Sequence, residues 1–255
     1  MTITQRIRSA PTAWFFILAY ALTWPLAALV SFSLSFGLLG LFGPAVAAII
    51  VARVCDGPAG VSALLSKVRL WRVNPIWYVI VFVLPVAVSG VVALGARSLG
   101  LASGVEWTKV APINLVIFVL VVGEEIGWRG FALPRMIERF GVGRASLFLG
   151  LLWGMWHFPT FFIKGVTQSE VPILVYLAYT TALCGAFTWI WLHTRGSVLL
   201  ATLFHGAVNT VGFTAVGLPA PQRMWLMAGA WAVGSIVLLA LGQERSSTSP
   251  AAEVT

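Results

Sequence analysis

Long runs without Asp, Glu, Lys or Arg, separated by short charged stretches, dominate this chain. The first covers residues 9–52, enough for two membrane-crossing helices at about 20 apolar residues each. A tight turn between them is supplied by GLLGLFGP around Gly37–Gly43. Further runs cover 73–96, 110–123, 145–163, 171–194, 196–222 and 224–243. The 110–123 run ends in Glu124-Glu125, yet apolar sequence resumes as IGW before Arg129 and GFALP. The pattern therefore predicts one helix over 112–134 with ionisable groups near its middle. The predicted spans are roughly 12–35, 38–54, 76–96, 112–134, 145–163, 172–193, 197–217 and 223–242. They define an all-α polytopic transmembrane bundle of about eight helices, a single domain over 1–255 with a polar tail at 246–255. Arg6 and Arg8 stand before the first stretch, but it is far longer than the roughly 7–15 residues of a signal-peptide core. It reads as a span.

Composition narrows the class further. Of 255 residues 59% are hydrophobic and only 9% charged, against about 25% charged in ordinary soluble domains. Mean hydropathy is +0.94. So few charges cannot coat a soluble core, which excludes a soluble globular enzyme, a disordered chain and a disulfide-stapled secreted domain. Cys55 and Cys184 lie far apart and form no metal-ligand spacing. The net charge of +8 comes from basic residues scattered through the breaks, which suits membrane orientation better than nucleic-acid binding. With eight spans both termini share a side. That side collects Arg6, Arg8, Arg53, Lys67, Arg69, Arg72, Arg129, Arg135, Arg139, Arg144, Arg195 and Arg245, against Arg97, Lys109, Lys164 and Arg223 opposite. The bias predicts cytoplasmic termini in a plasma (inner) membrane protein.

Ionisable residues inside spans are costly, face the bundle interior and are functional candidates by default. Glu124, Glu125, His157 and His205 qualify, at about 12, 13, 13 and 9 residues into their predicted helices, with Asn209 four residues beyond His205. At about 1.5 Å rise per residue, all fall near mid-membrane. Glu125 and Arg129 stand at i, i+4, where a carboxylate and a guanidinium pair. Glu124, about 100° further round, lacks that partner and is available as a general base. His205 and Asn209 share a face, and both side chains can donate to a developing oxyanion. Trp153 and His157 share another. Gly150 and Gly154 form a small-xxx-small pair that admits a neighbouring helix, and Pro159 is expected to open the hydrogen-bond ladder after His157.

In these residues the chain resembles the CPBP intramembrane proteases, which comprise the CAAX prenyl endopeptidases and their bacterial (Abi) relatives. The family pattern is EExxxR, FxxxH and HxxxN on separate transmembrane helices. Here it reads EEIGWR (Glu124 to Arg129), WGMWH (Trp153 to His157) and HGAVN (His205 to Asn209), with Trp153 where the family usually has Phe. The resemblance covers about 112–212 and implies a catalytic core in an eight-helix bundle with a water-filled cavity. It implies Glu124 activating water, His157 assisting, and His205 with Asn209 stabilising the oxyanion. Zinc could be held by Glu124, His157 and His205, but HExxH is absent and a metal-free glutamate mechanism accounts for the same residues. The expectation is an intramembrane endopeptidase without a cofactor. It would act on a membrane-associated protein or peptide, with membrane lipid as its other partner. A non-catalytic immunity or scaffold protein of the same fold, or a proton-coupled transporter, are the alternatives. His193, beside Thr194 and Arg195, reads as an interface residue, and the Trp and Phe content as lipid-facing packing and anchoring.

Overall fold

The computed structural model describes residues 1–30 and 32–247. Its helices are α1 (Ile3–Ser9), α2 (Pro11–Ala28), α3 (Leu34–Gly40), α4 (Gly43–Ser66), α5 (Ile76–Ser98), α6 (Pro112–Leu120), α7 (Val122–Glu125), α8 (Leu133–Phe140), α9 (Val142–Trp156), α10 (Ile173–His193), α11 (Val198–Thr210) and α12 (Ala220–Ser247). A π-helical segment, Ile126–Ala132, joins α7 to α8. Among the described residues, five stretches are long and apolar enough to cross a membrane: Pro11–Ala28, Leu34–Arg69, Ile76–Ser98, Ile173–His193 and Ala220–Leu241. Large apolar side chains such as Ile17, Val91, Leu94, Leu174, Val233 and Ile236 point outward along them, as a lipid-solvated surface requires. The chain is an all-α, multi-pass membrane protein.

Several boundaries differ from the hydrophobic runs, each for a local reason. The second predicted span does not end at 54: α4 breaks at Gly57 (φ 68°, ψ −159°) and restarts at Pro58, so a helix continues past Arg53 and Asp56 to Ser66. The first ends at Ala28 rather than 35. The fifth stops at Trp156, with His157 as its C-cap. Pro159 disfavours helical backbone at the residue before it, and Phe158–Phe162 forms a short 3₁₀ turn instead. The seventh is shortened most, α11 ending at Thr210. Gly212 (φ 142°) and Gly217 (φ 79°) bracket a strand, β2 (Phe213–Val216). It pairs antiparallel with β1 (Gly104–Trp107), Gly104 opposite Val216 and Trp107 opposite Phe213. The polar tail expected at 246–255 lies outside the described residues beyond Ser247, and α12 reaches Ser247 itself.

Close approach between helices is set by glycines. A Cβ on Gly127 would sit 2.5 Å from Pro44 Cβ and 2.8 Å from the Pro44 carbonyl, and one on Gly123 would sit 2.7 Å from the Leu41 oxygen. Gly123 and Gly127, four apart, thus seat the α7–π segment directly on the start of α4. Gly150 and Gly154 do the same for α9 on α10, where added Cβ atoms would meet Thr181 Cα at 2.6 Å and Thr180 Oγ1 at 2.4 Å. The small-xxx-small expectation is therefore met. Because the obstruction at Gly127 is backbone, Gly127→Val is expected to cost at least about 1–3 kcal/mol by overpacking. A lowered unfolding midpoint in detergent would show it.

The π segment has its own hydrogen-bond account. Pro134 lacks the N–H that would serve the Gly130 carbonyl four residues back, and Lys67 Nζ donates to that carbonyl at 2.9 Å. Trp128 and Phe131, both fully buried, pack from this segment against Phe15 of α2, with ring centroids 5.3 and 5.2 Å away. The wide turn immediately after the paired glutamates is thereby fixed from two sides.

Candidate active site

Three elements converge on one buried cluster. α7 and the π segment bring Glu124, Glu125 and Arg129, the end of α9 brings Trp153 and His157, and α11 brings His205. Glu125 and Arg129 have no exposed side-chain surface, and Glu124 is 2% exposed. An Arg129 Nη1–H donates to Glu125 Oε1 at 2.9 Å, the i, i+4 pair expected from the sequence. The same oxygen lies 2.7 Å from His205 Nδ1, so Glu125 bridges a guanidinium and an imidazole. Arg129 is clamped by aromatic faces, its guanidinium carbon 3.7 Å from the Phe187 ring centroid and 4.5 Å from that of Trp153. Arg129, counted above with the loop cations, is thus a core residue.

Glu124 is not without a partner: Trp153 Nε1–H donates to its Oε2 at 3.0 Å. Its Oε1 has no hydrogen bond to a described residue. His157 Nδ1 lies 2.9 Å from the Trp153 carbonyl oxygen, which fixes that nitrogen as the donor, because a carbonyl only accepts. In His205 the contact with Glu125 assigns Nδ1–H in the same way. Both imidazoles are therefore tethered through Nδ1, leaving Nε2 as the nitrogen available for chemistry.

Asn209 stands apart from this network. It is exposed and lines a cavity of about 290 Å³ bordered also by Thr108, Gln168, Tyr176, Thr214 and Arg223. The Tyr176 ring packs edge-on to His157, centroids 5.2 Å apart, and its hydroxyl accepts from Gln168 Nε2 at 3.0 Å. The cavity thus adjoins the cluster through Tyr176 and His157 on one side and Asn209 on the other. His193 lies outside the site, its Nδ1 bonded to the Trp189 carbonyl at 2.8 Å and its ring against Trp77.

Phe187, Tyr176 and the Trp153 indole N–H are participants that sequence reasoning passed over. Phe187 and Tyr176 sit on α10, an uncharged helix, and only the α9–α10 packing reveals that they face the cluster. Trp153 carried a usable signal: an indole in a motif that normally holds Phe brings a donor into a buried site.

Fold and site together define a polytopic helical membrane protein with a glutamate–arginine–histidine cluster closed off in its core. Residues 106–211 match the family model described as Type II CAAX prenyl endopeptidase Rce1-like, the CAAX protease family that the three motifs resemble. The chain is also 31% identical over 108 residues to CAAX prenyl protease 2 of Methanococcus maripaludis. That similarity covers 40% of this chain and 40% of the relative, so the match spans about two fifths of each protein. All seven motif positions, from Glu124 to Asn209 and including Trp153, fall inside the matched segment.

Proposed function

We propose that this protein is an intramembrane endopeptidase acting on a membrane-associated protein or peptide. The observation that carries the reading is the pairing of a Trp-held Glu124, one oxygen uncommitted, with two imidazoles that both keep Nε2 free. In the proposed mechanism Glu124 takes a proton from water as the water oxygen attacks the scissile carbonyl. The resulting oxyanion accepts hydrogen bonds from the Asn209 amide and from His205 Nε2–H. That step requires a proton on His205 Nε2 beside the Nδ1–H that Glu125 accepts. The proton held by Glu124 then passes to the leaving amine as the C–N bond breaks, with His157 Nε2 assisting the transfer. Glu125 and Arg129 orient His205 and do not exchange protons with substrate.

The relative's name makes lipid-anchored peptides the first substrates to try. Termini on the cytoplasmic side of a plasma membrane remain the proposed orientation, on the bias of Arg and Lys between loops. Glu124 as base with His205 and Asn209 as oxyanion donors accounts for each step without a metal; zinc held through Glu124 and the two Nε2 atoms is the alternative. Two outcomes test this reading in proteoliposomes. An internally quenched lipid-anchored peptide should be cleaved by the wild type and not by Glu124→Gln. A chelator such as 1,10-phenanthroline should leave the wild-type rate unchanged, whereas a zinc mechanism requires its loss.

A further inference from the structure

We infer that Trp153 is a positioning residue for Glu124, acting through its indole N–H; this rests on the reading of Glu124 as the base. The indole nitrogen can only donate, and its hydrogen goes to Glu124 Oε2 at 3.0 Å. That contact occupies Oε2 and leaves Oε1 without a hydrogen bond to a described residue. Its specificity shows against the other buried indoles. The Nε1 atoms of Trp128, Trp156, Trp191 and Trp231 are buried with no partner among the described residues, so these rings serve as apolar volume. Trp153, 3% exposed, directs its donor to the one carboxylate that the ion pair leaves over.

The residue also joins the other components of the site. Its carbonyl receives His157 Nδ1–H at 2.9 Å. Its ring lies under the Arg129 guanidinium and meets the His205 ring at 86°, with centroids 5.3 Å apart. Gly150 and Gly154 hold its helix against α10, so the indole has little freedom to swing. A phenylalanine here would keep the ring contacts and the backbone carbonyl but leave Glu124 free to rotate. A carboxylate misplaced by about 1 Å in an otherwise intact site loses on the order of 10²-fold in rate.

The test compares wild type with Trp153→Phe, and with 3-benzothienylalanine at position 153, which keeps the bicyclic shape and lacks only the N–H. Turnover is measured on the internally quenched lipid-anchored peptide in proteoliposomes. Both variants should lose about 10- to 100-fold in kcat with KM and the unfolding midpoint nearly unchanged. In ultraviolet resonance Raman spectra, the wild-type minus Trp153→Phe difference should show a hydrogen-bonded indole, and that signature should weaken in Glu124→Ala. Wild-type kcat in the benzothienyl variant, or an indole signal indifferent to Glu124→Ala, overturns the inference. Activity surviving in Glu124→Gln overturns instead the reading of Glu124 as the base.

Discussion

Arg129→Gln is expected to destabilise the protein by about 3–5 kcal/mol, the cost of breaking a buried ion pair by removing one partner. Glu125 and Arg129 are wholly enclosed, so the stranded carboxylate could not recover its solvation. Glu125 Oε2 and Arg129 Nε already lack partners among the described residues, which leaves no reserve of hydrogen bonds. Glutamine is also too short to lie between the Phe187 and Trp153 rings as the guanidinium does. Lysine at 129 would keep the charge but not the planar group that these faces clamp. The measurement is the denaturant or thermal midpoint in detergent, with folded yield recorded alongside. A double replacement of Glu125 and Arg129 by methionine should recover much of the loss, since buried ion pairs are often replaceable by apolar groups. It should not recover activity, because His205 then loses its anchor. An unchanged midpoint in Arg129→Gln would mean that the pair does not hold the bundle together.

Glu124→Gln should behave in the opposite way, reducing turnover by about 10²–10⁴-fold, the range for a general acid–base group, with folding intact. The amide is nearly isosteric, its oxygen can still accept the Trp153 N–H, and it is uncharged in a site where the carboxylate is 2% exposed. Turnover and midpoint must be measured on the same preparation. A loss of rate together with collapsed stability would reassign Glu124 to a structural role. Glu125→Gln provides the contrast, acting in part through stability because it strands Arg129.

The chemistry was more legible in this sequence than the backbone that carries it. Scarcity of charge singled out Glu124 and Glu125, and i, i+4 spacing paired Glu125 with Arg129 as the structure has it. Hydrophobic runs located the helices but misjudged their ends, because an apolar run records solvation by lipid, not backbone conformation. Phe213–Val216 is as apolar as a helix, and only the flanking Gly212 and Gly217 and its β-branched and aromatic residues mark it as a strand. The continuation of α4 through Gly57 was hidden for the converse reason: Arg53 and Asp56 ended the apolar run without ending the helix. The π turn at Ile126–Ala132 has no apolar signature; Pro134 and the supporting Lys67 are its traces. The bridge from Glu125 to His205 spans 80 positions, and nothing short of the packed bundle could reveal it. The Trp153–Glu124 bond left only one trace, an indole where the motif normally holds Phe; burial alone could not name its acceptor, since four other buried indoles have none among the described residues.

The most direct test of the central claim is quantitative mass spectrometry of membrane-associated peptides from cells carrying either the wild type or Glu124→Gln at matched protein levels. One or more cleavage products should be present with the wild type and absent with Glu124→Gln, their precursors accumulating correspondingly. Indistinguishable peptide profiles, with a cellular phenotype that survives the substitution, would contradict that claim and mark the cluster as part of a non-catalytic membrane scaffold.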